Sequence, residues 1–233
     1  MKKHFVMTLL FSVFFMTGQL MAQNLVDAAN FKKYAAGNEK ILSEEPVQGS
    51  RVVFLGNSIT ENWVSYHGEF FTQNNYIGRG ISGQTSYNFL LRFREDVIDL
   101  NPDLVIINVG TNDVAENSGP YNEDITMNNL MSMVELAQVH NIKVILTSVL
   151  PAAQFGWRKS ITDAPEKIIK LNSRIKQYAK DKKLRYVDYY KNMISKDGRS
   201  MNAEYTKDGV HPTLEGYLIM EEMIQKAIEK EIK

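Results

Sequence analysis

The sequence predicts an α/β protein: a five-stranded parallel sheet with helices on both faces. Three observations carry this expectation. Short apolar runs alternate with stretches of helical spacing along the chain. The runs Leu104–Val109 and Lys143–Val149 lack the in–out alternation of a half-exposed strand, as expected where both faces are covered. A short polar segment containing glycine follows the early apolar runs, where ligands gather in such sheets.

Taken in order, residues 1–22 read as a signal peptide. Lys2 and Lys3 precede an apolar stretch from Phe5 to Met16, then small and polar residues, with cleavage expected after Ala22. That stretch is shorter than the roughly 20 residues of a membrane span. Residues 23–50 form an N-terminal helix, Asp27 to Leu42, and the loop "SEEPVQGS"; residues 51–233 form one domain. Arg51–Leu55 is the first strand, and Tyr76-Ile77 a short second one before "GRGISGQT". Tyr87–Ile98 is an amphipathic helix stopped by "NPD". Leu104–Val109 is the third strand, Asn122–His140 a helix, and Lys143–Val149 the fourth strand. Glu166–Asp181 is a helix after Pro165, Arg185–Asp188 the fifth strand, and Thr213–Lys233 a last helix opened by Pro212.

Composition excludes several classes. Lysine plus arginine equals aspartate plus glutamate at 27 each, so nothing favours nucleic acid or a polybasic membrane anchor. The chain has no cysteine, hence no disulfide, no thiol nucleophile and no lipid-bearing cysteine. The expected product is a soluble exported protein without a membrane span in its mature part.

The polar segments after the strands carry the chemistry. "GNSIT" puts Ser58 on a strand-to-helix turn, and a serine hydroxyl needs a base to become a nucleophile. Of the four histidines, His4 lies in the signal peptide and His140 at a surface helix end. His211, in "DGVHP", stands three residues after Asp208, so one turn lets a carboxylate orient the imidazole. His67 is the fallback base. Backbone N–H groups of Ser58 and Gly83 and the Asn112 amide are candidate oxyanion donors. A histidine base predicts turnover that rises with pH through a single ionisation and then levels. No cofactor is called for.

These segments resemble the SGNH hydrolases, the GDSL-like lipase/acylhydrolase superfamily. "GNSIT" resembles the first block with Ser58 as nucleophile, and "GISGQT" the second with Gly83 in the oxyanion hole. "GTND" resembles the third with Asn112 there too, and "DGVHP" the fifth with Asp208 and His211. The resemblance implies a flavodoxin-like three-layer α/β/α sandwich and an esterase working through a Ser-His-Asp triad. One residue departs: Asn57 stands where the family usually has aspartate. The resemblance extends to the platelet-activating-factor acetylhydrolase-like and carbohydrate acetylesterase branches. They imply a small ester or acetylated glycan as substrate.

Asn57, Trp63 and Trp157, with Tyr66, are the candidate substrate contacts, and Arg79 is expected in a structural ion pair. Rival readings are lysophospholipase or thioesterase action, a catalytically silent glycan-binding protein, and a metal-dependent phosphoesterase. For the last, Asn57, Asn112, Asp208 and His211 make a poor transition-metal set.

Overall fold

The structure, a computed structural model, describes residues 28–44 and 49–232. The expected signal peptide therefore lies outside the described residues, as do residues 45–48 of the loop before the first strand and Asp27 at the start of the N-terminal helix; Asn30, at φ +52°, breaks that helix before Lys32. That helix, α1, runs Lys32–Ser43. There follow β1 (Val52–Gly56), α2 (Ser58–Tyr66), α3 (Gly68–Thr72), β2 (Tyr76–Gly80), α4 (Ser86–Asp96) and β3 (Leu104–Ile107). The second half holds α5 (Thr111–Val114), α6 (Glu123–Val139), β4 (Lys143–Thr147), α7 (Ala164–Asp181), β5 (Arg185–Val187), α8 (Tyr189–Met193) and α9 (Leu214–Ile232).

All strands pair in parallel, in the order β2-β1-β3-β4-β5. Successive side chains of each strand feed opposite layers, which is why both faces must be apolar. Val53, Leu55, Val105, Ile107, Val144 and Leu146 pack with α4, α6 and α7. Val52, Phe54, Leu104, Ile106 and Ile145 pack with α2, α3, α8 and α9. This is the flavodoxin-like three-layer sandwich that the family resemblance implied.

The chain leaves β1 towards β2 on one side and returns past β1 to β3 on the other. The strand order reverses there, and side chains following β1 and β3 meet at the carboxyl ends of the strands. β2 extends to Gly80, three residues past its expected end, in register with β1 as far as Gly56. The third and fourth strands stop two residues early, at Ile107 and Thr147, and the Asn108 and Ser148 side chains that follow are hydrogen-bonded.

Arg79 is buried, but its expected carboxylate partner is replaced by neutral groups. Its guanidinium donates to the Asn38 carboxamide and to Gly78 O, and lies 4.6 Å from the centre of the Tyr34 ring. The buried ion pair next door belongs to Arg92 and Asp96, 2.8 Å apart. Arg92 is fully buried and also donates to Gln84 Oε1 (2.6 Å) and to Gly56 O and Arg79 O (3.0 Å each). One side chain thus ties the ends of β1 and β2 to the loop that follows β2.

Candidate active site

β1 ends in Gly56, where any Cβ would fall on the Thr60 side chain. The chain then turns directly into α2. Asn57 caps that helix: its side-chain oxygen accepts the Ile59 N–H at 3.0 Å. Ser58 is the first helical residue, and among the described residues no acceptor takes its N–H. Its hydroxyl stands at the top of the sheet.

The partner loop folds through its own side chains. Asp208 Oδ1 accepts the backbone N–H of Val210 (2.9 Å) and of His211 (2.8 Å), closing a tight turn. That turn aims Asp208 Oδ2 at His211 Nδ1, 2.6 Å away. His211 Nε2 lies 2.8 Å from Ser58 Oγ. A carboxylate only accepts, so the shared proton sits on Nδ1 and Nε2 presents its lone pair to the serine hydroxyl. Half-burial alone would raise the Asp208 pKa. Hydrogen bonds from the His211 ring and from the His211 and Val210 N–H groups outweigh burial and hold the carboxyl below its ordinary range.

Gly83 adopts φ +78°, the left-handed region that glycine enters without penalty, and no described residue accepts its N–H. Asn112 follows β3 in α5 and is 2 % exposed. One of its amide hydrogens goes to Gln84 O at 2.9 Å, which orients the other donor. Asp113 beside it accepts from the N–H and hydroxyl of Ser86 and from Thr126, pinning the segment to the start of α4. Ser58, Gly83, Asn112 and His211 line one open cleft of about 420 Å³. A hydroxyl in contact with a base, facing several unspent donors, can attack an ester carbonyl and hold the oxyanion that forms.

Of the expected substrate contacts, only Trp157 lies in the cleft. It is 46 % exposed, donates to Asn117 Oδ1 at 2.9 Å, and its ring lies 6.1 Å from that of His211. Trp63 is instead 2 % exposed: it stacks between Phe70 and Tyr217 and donates to Glu221, so it meets no substrate. Asn57 is 1 % exposed and spent on capping, so it too is no substrate contact; its Nδ2 has no partner among the described residues. Tyr66 is exposed on α2 but rests against Tyr217, outside the cleft lining. His67 pairs with Glu221 at 2.8 Å, away from Ser58.

Sequence reasoning missed Asn62, Ser82 and Asn117, which also line the cleft. Asn62 was legible: it stands four residues after Ser58 and so shares its helix face. Asn117 was not, since a long-range contact with Trp157 places it. Among the described residues no three His, Cys, Asp or Glu side chains are grouped to hold a metal ion.

Fold and cleft together define an acyl-ester hydrolase. The model of the GDSL-like lipase/acylhydrolase family matches residues 54–219, and the chain belongs to that family, within the SGNH hydrolases. A GDSL-like lipase from Bacteroides thetaiotaomicron VPI-5482 is 61% identical, with a TM-score of 0.84 over 87% of this chain and 98% of that one. An acetylxylan esterase from Geobacillus stearothermophilus shares the fold at 20% identity, with a TM-score of 0.64 over 79% of this chain and 96% of that one. An uncharacterized lipoprotein of Bacillus subtilis (strain 168), YqeF, is 28% identical over 153 residues, 64% of this chain; the match spans 58% of that relative's length.

Proposed function

We propose that the protein is an exported serine esterase that removes short acyl groups, chiefly O-acetyl, from carbohydrate. The observation that carries this reading is the unbroken contact from Asp208 through His211 to Ser58, at 2.6 and 2.8 Å, at the rim of the cleft. In this reading His211 Nε2 takes the Ser58 proton as Oγ bonds to the acyl carbon. The carbonyl oxygen becomes an oxyanion held by Ser58 N–H, Gly83 N–H and Asn112 Nδ2. His211 then gives the proton to the leaving alkoxide, which departs as the sugar hydroxyl. Water, activated by the same imidazole, releases the acid from the acyl-enzyme.

The cleft lining supports a polar substrate with a small acyl group. Asn62, Ser82, Asn112 and Asn117 present amides and a hydroxyl, and Trp157 is the one large apolar lining side chain. A sugar offers hydroxyls to the former and an apolar ring face to the latter. Export is supported by the leader-like residues 1–22; among the described residues no helix is long and apolar enough to cross a membrane.

A panel of esters from acetyl to dodecanoyl, with acetylated xylan included, tests the substrate. Turnover is expected to peak at acetyl and to fall at least about tenfold by the octanoyl ester, since Trp157 is the one large apolar side chain among the described lining residues. A preference for long chains would favour the lysophospholipase or thioesterase reading. No turnover even of p-nitrophenyl acetate would leave a silent glycan binder. Asn112→Ala is expected to cost about 10²–10³-fold in kcat with KM little changed, because the donor matters only once the oxyanion forms. A raised KM at constant kcat would assign Asn112 to ground-state binding instead.

A further inference from the structure

The loop from Gly80 to Thr85, which carries Gly83, is held in part from outside the segment that matches the family model. Its first carbonyl, Gly80 O, accepts the Tyr34 hydroxyl of α1. Its second anchor is Ser82, whose N–H and hydroxyl both donate to Glu61 Oε2, at 2.7 and 2.6 Å. The other oxygen of Glu61 is paired with Lys33, again in α1. Its third anchor is Gln84, whose Nε2 donates to Ala29 O at 3.0 Å and whose Oε1 takes Arg92 Nε at 2.6 Å. The backbone carbonyl of that same Gln84 orients Asn112. The residue before Gly80 is tied as well, Arg79 to Asn38 of α1.

The loop has two further ties: Ile81 is buried with its N–H on Gly56 O at 3.2 Å, and Asn117 Nδ2 donates to Gly83 O at 3.2 Å. Gly80 passes so close to α2 that a Cβ there would fall on Glu61 N and Asn57 O, so the backbone is in contact but has no side chain to lock it. Gly83 itself has nothing within 4 Å of a notional Cβ. Gly80 closes β2 and Gly83 lies mid-loop in the left-handed region, so the stretch is fixed largely by polar contacts, of which those of Gly80 and Gln84 reach residues 29–34 directly.

We infer that Tyr34 and Lys33 are positioning residues for the reaction: through Gly80 and Glu61, the segment ahead of the family domain sets where the Gly83 N–H and the Asn112 amide point. This inference rests on the reading of Gly83 and Asn112 as oxyanion donors. Burial first, then the nearby Glu61 charge, push the Tyr34 phenol up to about 12, so it stays a donor at working pH. Burial would raise Glu61, but the bonds from Lys33 and Ser82 outweigh it and lower its pKa, so it stays a charged acceptor.

The test compares full-length Tyr34→Phe and Lys33→Met with Asn112→Ala and with Tyr76→Phe. The last removes a comparable half-buried phenol bond, to Gln225, far from the loop. With p-nitrophenyl acetate, Tyr34→Phe is expected to lose about tenfold in kcat with KM nearly unchanged, since a donor displaced by a fraction of an ångström fails mainly in the transition state. An alkyl boronic acid, which forms a tetrahedral adduct on the serine, should bind more weakly by a similar factor. Lys33→Met, at a partly exposed position, should show the same split, and Lys33→Arg should restore it. Tyr34→Phe and Lys33→Met enzymes as fast as the parent, beside a crippled Asn112→Ala, would overturn the positioning role alone. An equal kcat loss in Tyr76→Phe would also overturn it, by reducing the effect to general destabilisation. An Asn112→Ala enzyme as fast as the parent would overturn the oxyanion reading itself.

Discussion

Ser58→Ala is expected to lower ester turnover by at least about 10³-fold while leaving the fold intact. In the proposed mechanism no acyl-enzyme forms without Oγ, and His211 and the proposed oxyanion donors are left to assist a water that nothing holds in line. The residue sits at a helix start at the cleft rim, where alanine adds no volume and α2 keeps its Asn57 cap. Steady-state kinetics with p-nitrophenyl acetate, beside circular dichroism to establish folding, read the effect. A serine-directed phosphonate should add one adduct to the parent protein, at Ser58, and none to the variant. Near-parental turnover by a folded Ser58→Ala protein, or an adduct elsewhere, would remove the serine mechanism.

Asp208→Asn is expected to slow turnover by about 10²–10⁴-fold, through the wrong imidazole tautomer. The reason lies in the turn. Oδ1 of Asp208 already accepts two backbone N–H groups, from Val210 and His211. An asparagine must keep its carbonyl oxygen there, so its NH₂ replaces Oδ2 and faces His211 Nδ1. A donor facing Nδ1 drives the proton to Nε2, which then cannot take one from Ser58. Stability should report the charge separately. The folded Asp208 carboxyl titrates below its unfolded value of about 3.9, so its stabilisation is complete above that pH and lost as pH falls through the lower folded value. The part of the melting-temperature gap that the Asp208 charge supplies should therefore shrink below about pH 4. It also follows that any loss of turnover between pH 8 and 5 belongs to a group other than Asp208. An Asp208→Asn enzyme as fast as the parent would show that another residue orients the base.

Much of the site was legible because its geometry is local. Asp208 and His211 share one turn, so their contact follows from a spacing of three residues, and Asn57-Ser58 after an apolar run marks a strand end passing into a capped helix. Where burial decided, sequence reading failed. Trp63, expected as a substrate contact, lies on the inner face of α2, where Phe70, Tyr217 and Glu221 satisfy its ring and its N–H together. Arg79 was assigned an ion pair, but the carboxylate nearby is bonded to Arg92, and an amide took its place.

By itself the sequence determined the α/β class, the order of the elements and the polar segments that top the sheet. Hydrophobic periodicity and turn chemistry are properties of neighbours along the chain, and both are strong here. Only the tertiary structure decided which aromatic faces the cleft, how Ser58 comes within 2.8 Å of a histidine 153 residues away, and that α1 grips the loop bearing Gly83. Those contacts depend on strand order and on how helices pack across the sheet. The first strand lies between the second and the third, so residues distant in sequence are set side by side at its carboxyl end.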